Sequence, residues 1–395
     1  MPNQPVTLLE PSERRDPRTG FSLSFLTNGS YSPNAPGGSA QGHREAIDLF
    51  VQGERLGYQR GWVRNRHFDN YLSSPLTLIA AAGQHTERIH LGTAIIPVGY
   101  EQPIRIAEDA ATVDLLIGGR LELGIATGLP GFERVFGYDD ARPHKVVAAE
   151  KVERLLDALG GDVLGYAAPG GPAEAADPAD GRFSGPRGEA AAGKGTPYYA
   201  RPFVPGLRDR VWYGPGGIES AELAARQGLD LQLSAIGPDV GLGFEGGQRA
   251  QIDAHRAAWT RTDRDPRVTA FRLFFPFVND AQRRLYEAYR DLRDTEGAAA
   301  SRPAGALPHD TGRRATTIPS RVAGAVRAPG LQSPVVVGEP AEIVEYLRSD
   351  VAVHAADELG IFLPPGFSHR ENLELIENIA ELVAKPLGWT PGSAS

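Results

Sequence analysis

Short apolar runs of strand character alternate with longer helix-like stretches along the whole chain, and that alternation is the signature of βαβ units on a parallel sheet. The runs are Phe21–Leu26, a short one at Gly61–Arg64, Ile89–Val98, Leu121–Thr127, Arg210–Tyr213, Leu229–Ala235, Val268–Val278 and Leu359–Leu363. A helix is expected over Arg44–Leu56, with Ile47, Phe50 and Leu56 available for one face and Gly57 as its stop. Others start at Pro75, where proline suits a first turn, and cover Pro103–Leu116, His144–Leu159, Glu219–Gln227, Gln248–Trp259, Ala281–Arg293 and Arg370–Leu382. Glu339–Ala355 reads as one additional helix before the last strand. Eight strands with eight following helices predict an α/β fold, a closed (β/α)8 TIM barrel. An open doubly wound sheet gives the same string, but no nucleotide fingerprint follows the first strand.

Two segments break the rhythm and are expected as long insertions, 160–206 and 296–333, both dense in Gly, Ala or Pro. The first follows the fourth helix and reads as structural. The second is long enough to fold over the barrel mouth as a lid. Met1–Gly20 is polar and carries four prolines, so a flexible tail is expected for residues 1–20, one barrel domain for 21–388 and a short tail for 389–395.

Composition removes several function classes. A net charge of −8 offers no basic patch for a phosphate backbone, which argues against nucleic acid. No cysteine is present, so thiolate metal sites, disulfides and a cysteine nucleophile are excluded. The nine histidines show no ligand spacing, and no metal is expected. There is no apolar signal segment and no apolar run long enough for a bilayer, so the expectation is a cytoplasmic protein without a membrane partner. The run Gly241 to Gly246 fits G-x-G-x-x-G but lies well past the strand end at Ala235, and reads as an ordinary Gly-rich loop. Trp62, Trp212 and Trp259 read as packing residues, and His85 and His90 as surface.

Gly216-Gly217 at a strand end, with Ser220 just inside the next helix, has two readings. Free helix N–H groups and glycines that admit close approach make an anion seat. An ordinary tight turn with an N-terminal cap needs the same residues.

The stretch Arg88–Gly137, RIHLGTAIIPVGYEQPIRIAEDAATVDLLIGGRLELGIATGLPGFERVFG, closely resembles the bacterial-luciferase-like flavin-dependent monooxygenases. Val211–Ser234 resembles that family's flavin-phosphate strand and helix, and Val335–Leu387 its C-terminal helix-strand-helix. The resemblance covers about 21–387 apart from the insertions. It implies reduced FMN as cofactor and O2 as co-substrate, oxygenating a small organic substrate. It also implies a separate flavin reductase as partner and a homo-oligomer. The phosphate is then expected on Gly216, Gly217 and Ser220. Thr127-Gly128 falls where relatives place a basic phosphate contact, and His144 where they place a second one. Ala94-Ile95 falls where relatives carry a non-proline cis peptide beneath the flavin ring. In Arg64-Asn65-Arg66-His67-Phe68 relatives often have an acidic residue and two histidines; here His67 keeps the second histidine and Arg66 replaces the first. Arginine is no base at neutral pH, so His67 is the candidate base and Arg66 the candidate partner of an anion. A deazaflavin-dependent hydride-transfer enzyme, a flavin-binding relative without catalysis, and a flavin-free barrel hydrolase or lyase remain open at this point.

Overall fold

A computed structural model describes residues 20–138, 142–166, 197–238, 241–300 and 331–392. Eight parallel strands follow one another around a ring: β1 (Ser22–Thr27), β2 (Arg60–Val63), β3 (His90–Thr93), β4 (Leu121–Ala126), β5 (Val211–Tyr213), β6 (Asp230–Leu233), β7 (Val268–Pro276) and β8 (Glu358–Phe362). β8 pairs with both β7 and β1, which closes the ring into the expected barrel. The helices are α1 (Gln41–Leu56), α2 (Pro75–Ala82), α3 (Pro103–Leu116), α4 (His144–Gly160), α5 (Ile218–Arg226), α6 (Gly243–Ala258), α7 (Asp280–Ala300), α8 (Pro340–Ser349), α9 (Val351–Ala355) and α10 (His369–Ile379).

Local chemistry explains several boundaries. α1 buries Ala46, Leu49 and Phe50 and ends where Gly57 turns left-handed at φ 88°, its N–H reaching back to Gly53 O and Glu54 O. α10 opens on Ser368, whose hydroxyl accepts from Glu371 N while Glu371 answers at the Ser368 N–H (2.7 Å).

Contacts divide the chain into two compact units. The first holds the barrel: the chain through Ile96, Glu122–Ile125, and everything from Val211 on. The second consists of Pro97–Leu121 and Ala126–Arg210. In it α3 packs on α4, Gly165–Tyr166 pairs with Pro197–Tyr198, and Asp114 receives a bidentate Arg210 at 2.7 Å on each oxygen.

The barrel interior alternates as period-two strands require. Arg60 and Trp62 of β2 point inward, where Trp62 meets Trp212 edge-on (5.4 Å) and Phe271 (6.4 Å). Trp62 and Trp212 are 0% and 1% exposed, as packing residues should be. Gly92 is required beside them, since a Cβ there would lie 2.4 Å from the Trp62 ring. At the N-terminal end of the strands the interior is charged yet balanced. Arg60 spans Glu358 (2.5 Å) and Glu122 (3.2 Å), Arg267 spans Glu122 (3.1 Å) and Asp230 (2.7 Å), and Arg264 also takes Asp230 (2.7 Å).

Several expectations are corrected. The third strand ends at Thr93, not Val98, and a separate short strand covers Ile96–Pro97. α6 begins at Gly243 rather than Gln248, so the Gly-rich run opens a helix instead of preceding one. The single helix expected over Glu339–Ala355 is two, because the Asp350 carboxylate accepts from Ala352 N and Val353 N and so starts α9. His90, partly exposed as a surface residue is expected to be, also faces Glu122 through Nδ1 at 3.1 Å. Trp389, assigned to a tail, is 3% exposed, packs on Tyr58 and donates from Nε1 to Gln59 (2.9 Å). The cores of both insertions, and hence the lid expectation, lie outside the described residues, as do residues 1–19. No described helix is long and apolar enough to cross a membrane.

Candidate active site

In a β/α barrel the C-terminal strand ends carry the chemistry and the opposite face carries stability. Four of the sequence-derived groups lie at such ends on the barrel unit. Beyond β2, the Arg64 N–H donates to Thr27 O (2.9 Å) and the Arg66 N–H to Leu72 O (2.9 Å), which fixes the exit of the strand. The Arg66 guanidinium is engaged by Asp69 (3.0 Å), so its charge is partly committed within the protein. His67 is half-buried, its ring 6.2 Å from that of Phe68, which is exposed and left-handed at φ 57°. Beyond β3, the Ala94-Ile95 peptide is cis. Ile95 reaches toward Gly214 at the end of β5, where an added Cβ would come within 3.1 Å of its Cδ1.

At the entry to α5 the hydroxyl of Ser220 accepts from the N–H of Gly216 (3.0 Å) and of Gly217 (3.1 Å), and donates to Gly217 O (2.9 Å). Those glycine N–H groups are thus already used, and Ser220 acts as an internal cap. The N–H groups of Ile218, Glu219 and Ser220, in the first turn of α5, have no acceptor among the described residues. They are the donors left for an anion.

Thr127, Gly128 and His144 belong to the second unit, and the structure does bring these three together. His144 Nε2 lies 3.2 Å from both Thr127 O and Gly128 O, while Nδ1 lies 2.7 Å from Glu133. Both ring nitrogens face protein oxygens, so His144 ties together the loop after β4. The Tyr100 ring stacks on Phe136 (5.4 Å) beside it. Burial, with Glu133 adding to it, pushes the Tyr100 phenol up to about 12.

Two polar residues that sequence reasoning missed stand in the barrel. Gln232, on β6, is 3% exposed, yet neither its Oε1 nor its Nε2 has a partner among the described residues. Its Oε1 would lie 2.7 Å from a Cβ placed on Gly124. Arg64 is the other. For Gln232 the signal was period two, since Asp230 and Gln232 share one face of β6; Arg64 directly follows β2.

A closed parallel β/α barrel with glycines and idle polar groups at the mouth is the class of protein these observations define. The family model for luciferase-like monooxygenases matches residues 21–356, and the chain belongs to that family. It is 34% identical over 108 residues to 4-hydroxyprotoasukamycin monooxygenase of Streptomyces nodosus subsp. asukaensis, covering 26% of this chain and 29% of that one. The chain spans 28%, 29% and 58% of the length of three curated relatives that it matches. Among solved structures, the FMN complex of the oxygenating constituent of 3,6-diketocamphane monooxygenase from Pseudomonas putida superposes with TM-score 0.61 at 14% identity, covering 95% and 100% of the two chains. The coenzyme F420-dependent tetrahydromethanopterin reductase of Methanopyrus kandleri superposes with TM-score 0.57 at 15% identity, covering 93% and 99%.

Proposed function

We propose that this protein is a monooxygenase that uses reduced FMN and O2 to oxygenate a small organic substrate, the reduced flavin being supplied by a separate reductase. The observation that carries the reading is Gln232. A buried amide with both its donor and its acceptor idle costs free energy unless a ligand completes it. The pyrimidine edge of a flavin ring offers both kinds of partner. Gly92, Gly124 and Gly214 let Trp62, Gln232 and Ile95 pack closely against the strands.

In this reading the first-turn N–H groups of α5 hold the flavin phosphate, with Gly216, Gly217 and Ser220 shaping the turn. Ala94 and Ile95 lie against the ring, and Gln232 meets its polar edge. Bound reduced FMN supplies the electrons and the site of O2 activation. His67 is placed to move a proton at the strand end, and Arg66 to steady a negative charge while sharing Asp69. Thr127, Gly128 and His144 keep their cofactor assignment only as an ordered loop, since the His144 nitrogens are taken.

Anaerobic titration with reduced FMN, followed by admission of O2, tests the proposal. The expected result is saturable binding and an oxygen-dependent transient absorbance before oxidised flavin accumulates. Binding without the transient favours hydride transfer, the activity that the names of the F420-dependent relatives suggest. Absence of binding removes the FMN assignment. Replacing the cap tests the phosphate seat separately. Ser220→Ala frees two glycine N–H groups and loosens the turn, and is expected to weaken FMN about five-fold, in line with ~1 kcal/mol for a helix cap. An unchanged dissociation constant in fluorescence titration would place the phosphate elsewhere.

A further inference from the structure

We propose that Arg64 seats the carboxylate, or a similar oxyanion, of an organic acid substrate at the C-terminal mouth of the barrel. The proposal rests on the flavin reading for the reaction the acid undergoes, and on the barrel alone for its binding.

The contrast between the arginines at the two ends of β2 carries it. Arg60 opens β2, and Arg64 directly follows its last residue, Val63. Arg60 is answered by Glu358 and Glu122, as a charge out of water must be. Arg64 is half-buried, and no carboxylate lies within ion-pairing distance of it among the described residues. The nearest acid along the chain, Asp69, is taken by Arg66 (3.0 Å). The Arg64 guanidinium lies over an aromatic face, Phe362 at the end of β8, with 5.4 Å between its centre and the ring.

Its electrical surroundings are positive rather than compensating. Burial first, then Arg66, pushes Arg64 down to about 10, and Arg293 contributes in the same sense, while Tyr71 and Asp69 oppose it. At neutral pH the group is still a cation. Arg293 donates to Ser333 (3.1 Å), and its Nε is buried without an acceptor among the described residues. Unpaired guanidinium beside an aromatic ring matches a ligand with an anionic head and an apolar body. The head accepts a charge-assisted, bidentate bond. The body covers Phe362. A neutral ligand of the same shape would leave the cation uncompensated, so the site discriminates by charge.

The test titrates the full-length protein calorimetrically with benzoate and hexanoate, each beside its neutral amide, with and without FMN. At least one acid is expected to bind about ten-fold or more tightly than its amide, the scale of one charge-assisted hydrogen bond. Arg64→Met should bring that acid down to its amide, and Arg64→Lys should keep part of the preference. Arg64→Met without ligand should also melt a few degrees higher, because an uncompensated charge has gone; a merely structural arginine would melt lower. Equal affinity for acids and amides in the wild type, a preference that survives Arg64→Met, or a lowered melting temperature in that variant each overturns the proposal. Loss of FMN binding alongside an Arg64-dependent acid preference removes the flavin reading and leaves this one standing.

Discussion

Asp350→Ala is expected to be the most damaging single substitution outside the mouth, lowering the free energy of unfolding by about 3–5 kcal/mol for a broken buried ion pair. A helix cap of ~1 kcal/mol is lost as well. Asp350 is 2% exposed and binds Arg272 through both oxygens, at 2.6 Å to Nε and 3.0 Å to Nη2. Arg272 is also 2% exposed and sits inside β7, packed over Phe244 and donating as well to Gln248 Oε1 (2.6 Å) and Phe271 O (2.9 Å). Burial alone would lower the Arg272 guanidinium, but Asp350 more than offsets this and holds its pKa above the ordinary value. Without the carboxylate, a full charge is stranded where water cannot reach it. The same aspartate starts α9 through Ala352 N and Val353 N, so one substitution strikes two elements. Urea unfolding separates the contributions. Asp350→Asn keeps the cap and should lose only the charge part. Asp350→Ala combined with Arg272→Met should recover most of the loss, because the stranded charge goes with its partner. A single Asp350→Ala variant within 1 kcal/mol of wild type would show that water or another acid reaches Arg272.

Much of the fold was legible because it is written in periodicity. The β/α alternation fixes the ring, and strand ends such as Leu121 and Val211 fall within a residue or so of where apolar runs begin. What failed to show were features set by long-range partners. The break at Asp350 depends on that carboxylate serving both Arg272 and the next helix, which no local pattern reveals. The burial of Trp389 depends on Tyr58, far away in sequence. The long family-like block located Thr127, Gly128 and His144 together, but not the hydrogen bonds that join them. The sequence cannot say that Glu133 will claim His144, because that contact is made by a loop conformation. Ser220 is a similar case: a serine three residues into a helix either caps its own turn or faces a ligand, and here it caps. Arg64 and Gln232 were overlooked for the opposite reason. Their meaning lies in the partners they lack, and absence of a partner is visible only once neighbouring strands are in place.

The second large effect belongs to Glu122, at the N-terminal end of the barrel. This carboxylate is fully buried and accepts from Trp212 Nε1 (2.7 Å) besides facing Arg60, Arg267 and His90. Burial alone would raise its pKa, but Arg60, His90 and Arg267 hold it well below the ordinary carboxylate value. A depressed folded-state pKa gives stability that is complete above the unfolded value of 4.5 and is lost as pH falls below it. Glu122→Gln keeps the shape and removes the charge, so that Arg60 keeps its pair with Glu358 and Arg267 its pair with Asp230. The expected cost is about 3–5 kcal/mol near neutral pH, as for any buried pair that loses one partner. Below pH ~4.5 the wild type should shed up to about 1.4 kcal/mol per pH unit through this group, and the glutamine variant should not, so the gap between them narrows with acid. Urea unfolding at stepped pH reads both quantities. A gap that stays constant down to pH ~3 would mean that Glu122 titrates alike in the folded and unfolded chains, and that the network is held by geometry rather than by charge. A narrowing gap would show that the barrel's closed end is secured by compensated charge, in contrast to the uncompensated arginine at its open end.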